Sequence, residues 1–191
     1  MEEREAMEGK LRTHAEILEG IAAATWKALP LGFLKANWDA GLDSKRGRVG
    51  VGVIVRDHLG RVWASKCMVW EGFLDPTSAE AMGATMAALF YKELGMERIQ
   101  LEGDAKLVID AVNSRRQDDS SKGHLLADIL LALSSVLQWE MIHVRREGNT
   151  VAHGLANYAM QENVNRVWLN DPPDCVRDSL QADFSAVHSM I

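Results

Sequence analysis

An α/β domain with the element order β-β-β-α-β-α-β-α is the fold the sequence predicts, and three observations carry it. Three β-runs follow one another between Phe33 and Trp70 with short turn-forming gaps, the pattern of an antiparallel meander. Past Thr77 the apolar spacing changes from two to three-and-four, with Ala79, Met82, Met86, Leu89 and Phe90 forming one helical stripe. From Glu97 onward short apolar strands alternate with helical stretches, which requires a parallel crossover.

With 191 residues, 47% of them hydrophobic and 25% charged, the chain can bury a core without a disulfide or a structural metal. Cys67 and Cys175 form no C-x-x-C pair and read as small core residues in a reducing compartment. No apolar run reaches the roughly 18 residues of a membrane span. The acidic start (Glu2, Glu3, Glu5, Glu8) matches neither a secretory nor an Arg-rich transit signal. The expectation is a soluble intracellular protein, nuclear or cytoplasmic, acting as a monomer. The net charge of −6 is unevenly spread: the first thirty residues hold six acids against four bases, and the last thirty-one hold five against two. The acidity therefore lies largely outside the centre of the chain, and a nucleic-acid partner stays open.

Taken in order, residues 1–30 read as a leader helix, in which good helix formers from Glu2 to Lys27 end before Leu29-Pro30. The first strand, Phe33 to Ala40, alternates Leu34, Ala36 and Trp38 with Lys35, Asn37 and Asp39. That is the period of a half-buried strand which Asp39 finishes on its polar side. A hairpin loop from Asp43 to Arg48 leads into Val49–Arg56, and Asp57-His58-Leu59-Gly60 turns that run into Arg61–Trp70. Gly50 and Gly52 share one face of the second strand, where bare backbone admits close approach by another element or a ligand. They form no phosphate loop, because neither G-x-x-x-x-G-K-S/T nor G-x-G-x-x-G occurs. Thr77-Ser78-Ala79-Glu80 matches a capping box for a helix running to Leu94-Gly95.

Glu97–Glu102 is the fourth strand, and Gly103-Asp104 leads into a helix from Lys106 to Asn113. The polar stretch from Ser114 to Ser121 is a loop. Arg115, Arg116 and Lys122 there read as solvated surface, offset by Asp118 and Asp119. An amphipathic helix with Leu125, Ile129, Leu133 and Val136 follows, then the strand Trp139–Val144 and the basic turn Arg145-Arg146-Glu147-Gly148. Asn149 is the N-cap expected for a last helix, Thr150 to Met160. Beyond it the chain packs back through Val167 and Trp168 and ends in a weak helix through Leu180. The domain spans residues 31–172, and residues 173–191 are a C-terminal tail.

Asp39, Glu80, Asp104 and His153 each stand at an element end, too far apart in the chain for a local loop motif. Each also has a local explanation: a turn aspartate, a capping glutamate, a helix N-cap and a structural imidazole. Only convergence in space would give them a common purpose.

Five ordered blocks bear on that purpose. They are Asn37-Trp-Asp39, Val53-Ile-Val-Arg-Asp57 with Gly60-Arg61, Ala79-Glu-Ala81, Glu102-Gly-Asp104, and His143-Val-Arg-Arg-Glu-Gly-Asn149 with Ala152-His153 and Leu155-Ala156. Over residues 33–172 this order resembles the ribonuclease H type 1 superfamily, and more narrowly the ribonuclease H-like domains of plant genomes related to retrotransposon reverse transcriptases. The resemblance implies a five-stranded mixed sheet flanked by helices, with Asp39, Glu80 and Asp104 gathered as metal ligands and His153 at the fourth ligand position. It implies two divalent ions, Mg²⁺ or Mn²⁺, bridged by Asp39, and hydrolysis of the RNA strand of an RNA–DNA hybrid to leave 5′-phosphate ends. Clustered carboxylates suit such hard cations. Recognition of RNA would rest on its 2′-hydroxyls, with Thr77 and Lys106, neighbours of Glu80 and Asp104, as candidate contacts. The competing implication is a nucleic-acid-binding or interaction module that keeps the fold and hydrolyses nothing.

Three departures from active members stand out. His153 replaces an acid, and imidazole suits Mn²⁺ better than Mg²⁺. Ala40 follows Asp39 where many active members have Gly. The short turn before the last helix carries Glu147 in place of the flexible His of some members, and His143 lies back in the preceding strand. The expectation is a weak, Mn²⁺-favoured activity.

Overall fold

The computed structural model describes residues 26–27, 29–115 and 123–188. Six strands, β1 (Leu34–Asp43), β2 (Arg48–Arg56), β3 (Val62–Glu71), β4 (Arg98–Gly103), β5 (Gln138–His143) and β6 (Arg166–Leu169), form one sheet in the order β5-β4-β1-β2-β3-β6. The β1, β2, β3 and β6 neighbours pair antiparallel, and β4 pairs parallel to both β1 and β5. The helices are α1 (Pro76–Glu93), α2 (Lys106–Ser114), α3 (Gly123–Leu133), α4 (Thr150–Glu162) and α5 (Arg177–His188). The mixed sheet flanked by helices is thus as expected, with one strand more. Arg166–Leu169, in the segment expected to pack back on the domain, pairs with β3 as β6. Within it the two-residue period turns Trp168 inward and leaves Val167 46% exposed, so Trp168 packs against the domain and Val167 does not.

The alternation in β1 has a different meaning from the one expected. From Lys35 to Asp39 every residue is buried, so both faces of the strand are covered. Ala36 and Trp38, with Val49, Val51, Val53 and Val55 of β2 and Ile99 and Leu101 of β4, form the main core with α1, α2 and α3. Burying an aliphatic or aromatic side chain of that size contributes about 1.5–3 kcal/mol. The polar face of β1 is covered as well, by Trp26 over Lys35 and by α4 over Asp39. Gly50 and Gly52 explain how: a Cβ on either would lie well inside van der Waals contact of the Ala156 or Ala152 carbonyl. The close approach anticipated for this glycine pair is therefore made by a helix. A second cluster of Ile54, Cys67, Val151, Leu155, Ala159 and Val176 seals α4 to the sheet. Cys67 is the small core residue expected, but Cys175 is exposed.

Local termini also differ from expectation. Helix α1 is capped by Asp75, whose carboxylate accepts from the Ser78 amide, with Pro76 as its first residue. The Thr77–Glu80 capping box does not form, because Asp-Pro begins the helix one residue before Thr77 and leaves Glu80 on the helix barrel. Asp104 is no cap either, since Ala105 holds that position. Asn149 does occupy the N-cap of α4, but its side chain makes no capping bond.

At the sheet margin β5, the amides of Gln138 and Val144 bond into Glu97 and Gly103. Met141, of opposite parity, therefore turns its carbonyl outward, and Asn113 Nδ2 donates to it at 2.9 Å. Of the leader helix expected over Glu2–Lys27, only Trp26 and Lys27 fall among the described residues, and neither is helical. Arg116, Asp118, Asp119 and Lys122 lie outside the described residues. Among the described residues no helix is long and apolar enough to cross a membrane.

Candidate metal centre

Asp39 is not a strand-end residue. It sits inside β1 opposite Gly52 and is only 4% exposed, so its carboxylate is held by a ladder on a rigid strand. Glu80 comes from the first turns of α1, and Asp104 follows the last residue of β4. One ligand atom from each of these three carboxylates lies within 4.8 Å of the other two. With the cap and turn explanations removed, convergence is what the three acids have in common.

Their electrostatics follow from that crowding. Burial, and then the charges of Asp39 and Asp104, push the Glu80 carboxyl up from 4.5 to about 8, against the opposing pull of the Ala40 amide and Arg146. Burial also raises Asp39, Asp104 adds to the rise, and a hydrogen bond from His153 opposes it. Glu80 Oε2 is buried with no hydrogen-bond partner. An orphaned, buried carboxylate oxygen facing two other acids is satisfied by a cation or a proton.

His153 reaches the site because the glycines of β2 let α4 close on the sheet. Its Nδ1 lies 2.8 Å from Asp39 Oδ2, while Asn157 Nδ2 and an Arg146 nitrogen lie 2.9 and 3.1 Å from Nε2. The Asn157 amide donates to Nε2, which leaves the ring proton on Nδ1, donated to Asp39, while the Arg146 nitrogen lies against both ring nitrogens, 3.3 Å from Nδ1. His153 is thus beside the three acids but outside the set of mutually close atoms. To ligate through Nδ1 it must first lose the proton it gives to Asp39.

The two candidate substrate contacts are not drawn into the cluster. Thr77 lies one turn before Glu80 on α1, and Lys106 forms a surface ion pair with Asp110 at 2.7 Å. Two residues outside the candidate set are at the site. Asn149 donates to the Trp38 carbonyl at 2.8 Å and approaches Asp104 Oδ1 at 3.5 Å, tying the start of α4 to both β1 and the third acid. Arg146 lies against the His153 ring. In sequence Asn149 carries only a cap signal and Arg146 only a basic-turn signal, so neither stands out there.

The comparisons with known proteins agree with this architecture. A family model described as reverse transcriptase-like matches residues 37–159. A protein of Arabidopsis thaliana named for ribonuclease H is 26% identical over 162 residues, which cover 83% of this chain. The chain spans about a quarter of the length of that curated relative, 25%. RNase H1 from the archaeon Halobacterium salinarum NRC-1 superposes with a TM-score of 0.63 at 23% identity, covering 69% of this chain and 99% of that one. The N-terminal RNase H domain of a Mycobacterium tuberculosis protein gives 0.61 at 24% identity, covering 68% and 94%. LC11-RNase H1, solved in complex with an RNA/DNA hybrid, gives 0.61 at 19% identity, covering 68% and 98%. Matched by the family model over residues 37–159, the chain belongs to the reverse transcriptase-like family, and its likeness to the RNase H1 structures shows a ribonuclease H-like fold.

Proposed function

We propose that the domain is a divalent-metal-dependent nuclease that hydrolyses the RNA strand of an RNA–DNA hybrid. The observation that carries this reading is the convergence of Asp39, Glu80 and Asp104, from three separate elements, to within 4.8 Å. The donor set fits a hard cation: every ligand atom is a carboxylate oxygen, and Glu80 Oε2 is buried without a partner. Asp39, Glu80 and Asp104 would hold the divalent ions, two of Mg²⁺ or Mn²⁺. Bound there, the ions would supply an activated water for attack on the phosphate and would neutralise charge on the leaving 3′-oxygen.

The protein's own contribution is to hold these oxygens and to receive the strand. Asn149 ties Asp104 to β1, and exposed Arg146 offers a guanidinium to a phosphate beside the carboxylates. The Thr77 side chain has no hydrogen-bond partner among the described residues and is free to meet a 2′-hydroxyl, whereas Lys106 would have to leave Asp110. His153 would become a fourth ligand after its Nδ1 proton moves, a change that favours Mn²⁺. The likeness to LC11-RNase H1, a protein solved with an RNA/DNA hybrid, supports the substrate class.

A labelled hybrid incubated with wild type and Asp104→Asn in Mg²⁺ and in Mn²⁺ tests the reading. RNA products with 5′-phosphate ends are expected from the wild type alone, faster in Mn²⁺; no cleavage in either metal refutes it. A second reading, a nucleic-acid-binding module without catalysis, is favoured by the 2.8 Å contact in which His153 already engages Asp39. Melting-temperature measurements separate the two, because a module that binds no ion shows no shift at millimolar metal.

A further inference from the structure

Beneath the three acids runs a buried chain of polar contacts that ends on α5. Asp183 Oδ2 accepts from Arg56 Nη1 at 2.6 Å, and Arg56 Nη2 donates to Asn37 Oδ1 at 2.8 Å. Asn37 Nδ2 donates to Glu102 Oε2 at 3.0 Å, and Glu102 Oε1 accepts from Lys35 Nζ at 2.7 Å. All five residues are at most 9% exposed. The two cations and two carboxylates balance, as buried charge requires. Trp26 lies over both cations, with Lys35 Nζ and the Arg56 guanidinium each 4.8 Å from its ring centroid.

The placement of this chain bears on the site. The ladder between β1 and β4 runs from Leu34 opposite Ile99 and ends at Asn37 opposite Glu102. Asp39 and Asp104 stand two residues beyond that last rung, Asp39 still within β1 and on the face of Asn37, Asp104 just past the end of β4. Their mutual repulsion acts where backbone pairing has just ended. The Asn37–Glu102 bond closes the rung directly below them, and Arg56 holds the Asn37 amide so that its nitrogen points to Glu102. An amide left free to turn would set its oxygen against the carboxylate. Asp183, 127 residues from Arg56 in the chain, is the anion that fixes the guanidinium.

We propose that Asp183 is a positioning residue for the metal centre: through Arg56, Asn37 and Glu102 it holds the ends of β1 and β4 at the spacing that lets Asp39 and Asp104 share ions. The inference rests on the metal-centre reading above, and it assigns α5, which lies outside the family match at residues 37–159, a part in assembling the site.

Mn²⁺ binding to the full chain, followed by calorimetry and by the Mn²⁺ electron-spin resonance signal, tests it alongside urea unfolding in EDTA. Asp183→Asn is expected to weaken Mn²⁺ binding by a few-fold, up to about tenfold, the lower end of the loss for a partner bonded directly to a ligand, and Asp183→Glu to restore most of it. Leu180→Ala, on the same helix but packed in the apolar cluster, is expected to lower the urea midpoint and leave Mn²⁺ affinity unchanged. Equal Mn²⁺ affinity in wild type and Asp183→Asn overturns the proposal, as does an equal loss in Leu180→Ala, which would reduce the effect to helix docking. Should Asp183→Asn fail to fold, Arg56→Lys carries the same comparison, because an ammonium keeps the charge but cannot hold Asp183 and Asn37 in one fork; wild-type Mn²⁺ affinity and an unchanged resonance signal in that variant overturn the proposal. A wild type that binds no Mn²⁺ would instead remove the metal centre itself, and the inference with it.

Discussion

Replacing Glu80 with glutamine should change how the stability of the metal-free protein depends on pH. In the fold its carboxyl is pushed up from 4.5 to about 8 by burial and by the two neighbouring acids. A group whose folded pKa lies above its unfolded one binds more protons in the folded state, so its stabilising effect is complete below the unfolded pKa and disappears as pH rises through the folded one. The window is therefore about pH 4.5 to 8. At about 1.4 kcal/mol per pH unit, the full displacement is worth on the order of 5 kcal/mol. A small domain has roughly 5–15 kcal/mol in all, so the effect is large. Urea unfolding in EDTA at intervals from pH 5 to 9 should show the wild type losing stability against Glu80→Gln, with the difference widening towards alkaline pH. Asp39, also raised, adds to the slope in both proteins and cancels in the comparison to first order. Saturating Mn²⁺ should reverse the alkaline loss in the wild type, because the ion stabilises the ionised carboxylate. Parallel pH curves for the two proteins would refute the crowded-carboxylate picture.

Three further outcomes follow from the packing and the site. Gly52→Ala would drive a methyl group into the backbone of α4; a loss of about 1–3 kcal/mol in urea unfolding is expected, with His153 displaced from Asp39 in its imidazole NMR signals. Asp75→Ala should cost about 1 kcal/mol by removing the α1 cap, whereas Thr77→Ala should leave the thermal midpoint nearly unchanged, the reverse of what a capping box would give. His153→Asp would add an oxygen donor beside Asp39, and calorimetric titration should find the metal preference shifted from Mn²⁺ towards Mg²⁺.

The strands and their hairpins were legible because each rests on a local signal, whereas the three acids stood out through the resemblance, their own local signals pointing to a turn and two caps. Alternation marks β1 to β3, the Asp57–Gly60 turn sets one hairpin, and the paired glycines of β2 announce a close neighbour. What was hidden depends on distant partners or on competing local signals. Asp75-Pro76-Thr77-Ser78-Ala79-Glu80 contains two overlapping helix starts, and only the backbone decides that Asp75 caps. Asp39 reads as a strand end because the clear alternation stops with it, but pairing with β2 continues to Asp43. Lys35 reads as the polar side of a half-buried strand; its burial, and that of Arg56, requires Glu102 and Asp183, which no nearby residue betrays. β6 holds only four residues, too few for a period to show.

The margins of the sheet bear on solubility. A free strand edge invites pairing with another chain, and proteins blunt such edges with short strands or occupied backbone groups. Here one border is the four-residue β6, and at the other Asn113 occupies an outward carbonyl of β5. Trimming that amide to alanine would free the Met141 carbonyl and lengthen the stretch of β5 edge open to pairing with another chain.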